Sequence, residues 1–246
     1  MRNLKLEIEY DGTNYCGWQV QKRAKKPSIQ EVIEKTLHKI IQEKVKLIGS
    51  GRTDSGVHAL GQVANFKTKS NIPLKKLQYA LNSNLPSDIV IKKIKEEKPN
   101  FHSRFSAKTK LYRYTILNRK YPSVSLRNFV YFSPYPLDIK IMRKESRILL
   151  GRHNFRSFSS SDKKTKNMLR TIKKISIVKI KDLIYIDIEA DGFLYNMVRN
   201  IVGTLIELGR KKLPPGSMKK ILYAYDRKGA GPTAPAKGLC LLKVRY

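Results

Sequence analysis

Leu4-Lys5-Leu6-Glu7-Ile8-Glu9-Tyr10 alternates apolar and polar side chains and then runs into Asp11-Gly12. Successive side chains of a strand point to opposite faces, so this stretch predicts a half-buried strand entering a turn. Ile184, Ile186, Ile188 and Ala190, alternating with Tyr185, Asp187, Glu189 and Asp191, repeat the pattern in the second half of the chain. They predict another strand with one buried face. Between and after these strands the period changes. Ser28 and Glu31 form a capping box that opens a helix with Ile29, Val32, Ile33, Leu37, Ile40 and Ile41 on its apolar face, ending near Glu43. A glycine-rich turn follows at 49–56, then a strand at 62–67, a helix after Pro73 and a strand at 89–94 after Pro86. The second half begins with a strand at 112–117 and a helix around 139–150, followed by a mobile basic loop over 157–167. A helix after Gly192 buries Leu194, Met197, Val198, Ile201, Val202 and Leu205. A helix at 217–225 and a strand at 239–244 close the chain. The fold class is α+β: two halves with the same order of elements, residues 1–105 and 106–246, each with sheet covered by helices on one face.

Charge is the strongest compositional signal. The 51 Lys and Arg against 19 Asp and Glu give +32, far more than solubility requires. Residues 1–100 hold 19 basic and 10 acidic side chains, so the larger share of the excess falls in residues 101–246. A lysine-rich surface accounts for part of this, and a polyanionic partner for the rest. The basic residues are not gathered on one amphipathic helix, which favours nucleic acid over a membrane surface. No apolar run approaches the roughly 20 residues that a bilayer needs, and the polar alternation at Met1–Glu7 lacks the apolar stretch of a signal peptide. The chain is therefore expected in the cytoplasm. Cys16 and Cys240 lie far apart, and His38, His58, His102 and His153 are scattered, so neither a disulfide framework nor a structural metal is expected.

The segment Gly49-Ser50-Gly51-Arg52-Thr53-Asp54-Ser55-Gly56-Val57-His58 sets a carboxylate two residues after a guanidinium within a flexible turn. As a phosphate-binding loop it lacks the Lys-Ser/Thr pair that opens a helix. As a serine nucleophile site it lacks the strand-to-helix elbow, and His58 stands only three residues from Ser55. Taken by spacing alone, Asp54 reads best as a turn-capping residue.

The wider sequence changes that reading. Residues 51–59 resemble the GRTDAGVHA signature of TruA-type tRNA pseudouridine synthases, departing only where Ser55 replaces the usual Ala. Tyr10-Asp11-Gly12 with Tyr15 and Gly17-Trp18-Gln19 resembles the family's opening strand and turn. Phe101-His102-Ser103-Arg104-Phe105-Ser106-Ala107 with Tyr112-Arg113-Tyr114 resembles its central segment. Met197-Val198-Arg199-Asn200-Ile201-Val202-Gly203 and Ala230-Gly231-Pro232-Thr233-Ala234-Pro235 are similar to its late motifs. The motifs occur in order over almost the full chain.

The resemblance implies a central, mainly antiparallel sheet flanked by helices, with an active-site cleft between two halves. It also implies a homodimer that binds one tRNA, with uridines 38, 39 and 40 of the anticodon stem-loop as targets, and no cofactor. Asp54 is then the catalytic aspartate. Uridine and pseudouridine are isomers, so no electron, phosphate or carbon group enters or leaves. A carboxylate of ordinary pKa, about 3.9, is ionised at neutral pH and can act on a flipped nucleotide as nucleophile or base. By the same resemblance Arg52 fills the space of the flipped base or holds the RNA backbone, Tyr112 stacks on the uracil, and Arg199 pairs with Asp54. Helical geometry places Arg199 outside the face of Met197, Val198, Ile201 and Leu205, pointing away from the core. Lys22-Arg23-Ala24-Lys25-Lys26 and Lys163-Lys164-Thr165-Lys166 read as basic fingers for tRNA phosphates. A non-catalytic RNA-binding protein accounts for the charge but not for these four residues, and a methyltransferase needs a cofactor pocket that the glycine pattern lacks.

Overall fold

The alternation that opens the chain becomes a nine-residue strand, and the capping box at Ser28 becomes a helix start. The computed structural model describes residues 1–21, 24–160 and 167–246. In chain order its elements are β1 (Arg2–Tyr10), α1 (Ile29–Ile41), β2 (Ile48–Gly49), β3 (His58–Thr68), α2 (Leu74–Asn84), β4 (Ile89–Glu97), β5 (Thr109–Asn118), β6 (Tyr131–Ser133), α3 (Ile139–Ser146), β7 (Gly151–Asn154), β8 (Leu169–Ile180), β9 (Leu183–Ala190), α4 (Met197–Gly209), α5 (Ser217–Ala224) and β10 (Leu239–Arg245). The class is the expected α+β, with most strand pairs antiparallel. No helix among the described residues is long and apolar enough to cross a membrane.

The chain divides into two compact units, Met1–Lys108 with Cys240–Tyr246, and Thr109–Leu239. This differs from a division at 105/106 in where the last strand goes. Its Cys240 pairs in parallel with His58 of β3, its Arg245 carbonyl accepts the Lys108 amide, and the Tyr246 hydroxyl donates to Ser103 O. Such pairing joins residues far apart in the chain and leaves no local pattern to read.

In the first unit the strand order is β4-β1-β3-β10, with β2 on β3. Leu6 lies opposite Ala64 of β3 and Ile94 of β4. Leu4, Leu6 and Ile8 are fully buried, as are Ile29, Ile33 and Leu37 of α1 and Leu81 of α2, and each such side chain contributes about 1.5–3 kcal/mol. Lys5, Glu7 and Glu9 stay half-exposed on the opposite face. The Ser28 side chain accepts the Glu31 amide, as the capping box requires. The Glu31 carboxyl is held below the usual range by Lys35, one turn on, and by the Ser28 amide.

In the second unit β5, β9, β8 and β7 follow one another in antiparallel pairs, and β6 runs parallel to β5. The strand β8 was not expected. Ile172 and Ile177 are both buried although five residues apart, because a register shift between Ile172 and Lys174 moves the strand to the other phase. Helix α3 ends at Ser146 and continues only as a tight turn at Arg147–Leu149. Helix α4 starts at Met197, later than expected, after Asn196 in the left-handed conformation. Its burial is also broader than an amphipathic stripe: Asn200, Gly203, Thr204 and Ile206 are buried along with the apolar face. Part of the expected loop over 157–167 lies outside the described residues, while Arg156–Phe158 forms a tight helical turn.

Candidate active site

Asp54 sits in the loop between β2 and β3, and the loop is held by its neighbours. The Asp54 carbonyl accepts the Val57 amide and closes a turn whose third residue, Gly56, has φ +76°, a conformation that glycine adopts at no steric cost. Thr53 is fixed on two sides. Its hydroxyl lies 2.7 Å from Tyr10 Oη, and its carbonyl accepts the Trp18 amide at 3.1 Å. Gln62 Nε2 donates to Gly51 O at 3.0 Å, and Gln62 Oε1 accepts the Ser50 hydroxyl at 2.7 Å. Ser50 and Gln62 are fully buried, so these bonds replace lost water contacts.

The turn after β1 packs directly on this loop. At Gly17 (φ +108°) an added Cβ would lie 2.4 Å from Thr53 O, and at Gly12 one would lie 2.0 Å from Val57 O. Gly49 leaves room for the Trp18 indole in the same way. His58 is buried, with Nδ1 3.1 Å from the Gly12 amide nitrogen and 3.0 Å from Asp11 Oδ1. The Ser55 hydroxyl donates to Tyr15 O at 3.0 Å, so the residue that departs from the signature braces the loop against the β1 turn. Ser55 and His58 thus each bond to a main-chain group of the β1 turn, Tyr15 O and the Gly12 amide. Asp54 itself is half-exposed, and Arg52, two residues before it, is exposed.

Tyr10 is 3% exposed, and burial pushes its hydroxyl far above the usual tyrosine range, against the lowering effect of Thr53 and Gln62. It remains a neutral phenol and keeps its bond to Thr53.

Tyr112 and Arg199 belong to the second unit. Tyr112 lies on β5, opposite Ile188 of β9, is 7% exposed, and meets the Phe193 ring edge-on at 5.1 Å. Arg199 lies in the first turn of α4. It points away from the apolar face as expected, but into a loop rather than into solvent: Nε donates to Ala234 O at 2.7 Å and Nη1 to Asn196 Oδ1 at 2.9 Å. The Ala234 amide in turn donates to Arg199 O. Asn196 caps the helix without a side-chain bond to its amides, since its carboxamide oxygen accepts the guanidinium.

Arg52 and Asp54 thus share one loop of the first unit, and Tyr112 and Arg199 stand on β5 and α4 of the second. Several contributors went unread in the sequence. Tyr114, two residues after Tyr112, is fully buried and donates to Pro235 O at 2.8 Å. Burial raises its pKa well above the usual range, and the Arg199 charge opposes that rise. Both Tyr114 and Pro235 stand inside motifs singled out above, but their spacing says nothing of their contact. Of the two basic fingers, Lys22, Arg23 and residues 163–166 lie outside the described residues; Lys25 and Lys26 are exposed.

Comparison with known proteins gives one consistent result. A family model described as tRNA pseudouridine synthase matches residues 7–106 and 146–246. A protein named tRNA pseudouridine synthase A from Thermoanaerobacter sp. (strain X514) is 50% identical over 246 residues, covering 100% of both chains. Its namesake from Acetivibrio thermocellus is likewise 50% identical, and that from Clostridium acetobutylicum 48% identical, each over 100% of both chains.

Proposed function

Because the chain belongs to the family of tRNA pseudouridine synthases, a family of isomerases, we propose that it converts uridine to pseudouridine in the anticodon stem-loop of tRNA with Asp54 as the catalytic carboxylate. One observation carries the assignment to Asp54. Around it the loop's polar groups are committed to anchoring: Gly51 O, the Thr53 hydroxyl and carbonyl, the Asp54 carbonyl and the Ser55 hydroxyl all hold the backbone in place. Asp54 stands half-exposed on this fixed loop. Preorganisation of this kind keeps a reacting group within the narrow tolerance that catalysis needs.

The reaction breaks the bond between uracil N1 and ribose C1′, turns the detached base and joins C5 to C1′; the C5 proton is released to water and N1 takes up one proton in its place. Atoms balance without oxidant, reductant or donor. Asp54 acts as nucleophile or base in this sequence, and the target nucleotide is flipped out of its stack so that the base can turn away from water. Tyr112 offers a flat ring for the uracil, Arg52 holds the space or backbone beside it, and Arg199 pairs with Asp54 and orients it. The net charge of +32 supplies attraction to the tRNA phosphates, with the two basic fingers as contacts. The enzyme works in the cytoplasm, as a homodimer and without a cofactor; the resemblance of its motifs supports the last two points.

The test is direct. Purified protein is incubated with tRNA carrying tritium at uridine C5, with chelator and without added cofactor, and release of label into water is counted. Wild type is expected to release it, with the label lost mapping to the anticodon stem-loop. Asp54→Ala is expected to lower release by a factor on the order of 1,000 or more, with tRNA affinity nearly unchanged. Full release by that variant ends the assignment, and a wild type that binds tRNA without release makes the protein a non-catalytic binder.

A further inference from the structure

Residues 199 and 200 of α4 are bonded to residues 233 and 234 of a loop more than thirty positions away. The Ala234 peptide clasps Arg199 at both its side chain and its main chain. Asn200, fully buried, takes the neighbouring Thr233: its Oδ1 accepts the Thr233 hydroxyl at 2.6 Å and Arg227 Nη2 at 3.0 Å. Arg227 Nη2 also donates to Thr233 Oγ1 at 3.2 Å, closing a three-membered ring of hydrogen bonds, and its Nη1 donates to Ala230 O. The Asn200 amide group donates to Phe158 O at 2.8 Å and lies 3.3 Å from Ser160 Oγ. All four hydrogen bonds that a carboxamide can make are therefore used.

The backbone is fitted to the same purpose. A Cβ at Gly203 would lie 1.7 Å from Pro232 O, and one at Gly231 2.8 Å from the Thr204 backbone, so the loop crosses α4 at a distance that only glycine permits. Thr204 Oγ1 accepts the Gly231 amide and donates to Asn200 O. Tyr114 holds the next carbonyl, Pro235 O, from the strand side.

We infer that Asn200 and Thr233 are positioning residues for Arg199: they fix the 232–235 segment so that the Ala234 carbonyl aims the guanidinium, an inference that rests on the proposed role of Arg199 in turnover. Arg199 has five N–H groups in a rigid fork, and its direction is set by which acceptors are held still. With Thr233 unhooked from Asn200, the Ala234 carbonyl and the Arg199 guanidinium gain freedom together. The ring of Asn200, Thr233 and Arg227 touches no substrate in this scheme; it acts through Arg199.

Thr233→Val tests this, because valine keeps the shape and removes only the hydroxyl, whereas loss of Asn200 removes four bonds at once and endangers folding. Thr233→Ser restores the hydroxyl. Tritium release is measured over a range of tRNA concentrations for wild type, both variants and Arg199→Ala, each checked for an unchanged circular dichroism spectrum. Thr233→Val is expected to lower kcat about tenfold with KM for tRNA unchanged, and Thr233→Ser to return kcat to within about twofold of wild type. Arg199→Ala is expected to lower kcat further, and adding Thr233→Val to it to change little. The inference is overturned if Thr233→Val keeps wild-type kcat while Arg199→Ala loses it, or if the serine and valine variants fall equally. Wild-type kcat in Arg199→Ala removes the underlying role of Arg199 and the inference with it.

Discussion

Gly17 shows how much of the candidate site is decided by single positions. It adopts φ +108°, and its missing Cβ leaves space for Thr53 O. Gly17→Ala forces an L side chain into a backbone conformation it rarely adopts and pushes the Thr53 carbonyl aside, costing about 1–3 kcal/mol of stability. Because Asp54 follows Thr53 directly, the larger effect is expected on turnover: a displacement of about 1 Å at a reacting group costs about 100-fold. Thermal melting and the tritium assay on the same preparation check both figures. Arg52 and Asp54 were legible because they stand two residues apart within one motif. The anchors that hold them were not, because Tyr10, Trp18 and Gln62 reach the loop from other strands and turns, and nothing in their spacing announces a shared partner.

Local patterns succeeded where an element is made by its own residues. The alternation of β1 and β9 and the Ser28 cap of α1 each appear in the structure. Ser28→Ala removes the acceptor for the Glu31 amide and is expected to cost about 1 kcal/mol, or a fall in Tm of about 2–4 °C. Scanning calorimetry reads this directly, and an unchanged Tm would show that the cap contributes nothing. Patterns failed where an element depends on a distant one. The register shift in β8 breaks the period of two that would have revealed the strand. In α4 the stripe was correctly seen, but the opposite side is covered by the 230–235 loop, so Arg199 leaves the core only to meet Ala234 O.

For the whole molecule, four tyrosines share one electrostatic property. Tyr10, Tyr15, Tyr114 and Tyr246 all have hydroxyls raised above the usual range by burial, reinforced at Tyr15 by Asp88 and at Tyr246 by Glu97. Unfolded tyrosines ionise near pH 10. Above that pH the unfolded chain loses protons that the folded chain keeps, so stability is fully present below about pH 10 and falls as pH rises beyond it. Urea unfolding at increasing pH is expected to give a steepening loss of stability there. Tyrosinate absorbance from these four groups is expected to appear together with unfolding; their titration in the still-folded protein would contradict their burial.

The chain has a single tryptophan, Trp18, which is 3% exposed, lies against Gly49 and gives its amide to Thr53. Red-edge excitation passes over all 13 tyrosines, so the fluorescence of the unlabelled protein comes from one indole beside the Asp54 loop. Its emission wavelength and quenching by acrylamide follow that loop together with Tyr10 and the start of α1, and stopped-flow mixing with tRNA becomes an optical record of what happens near the carboxylate.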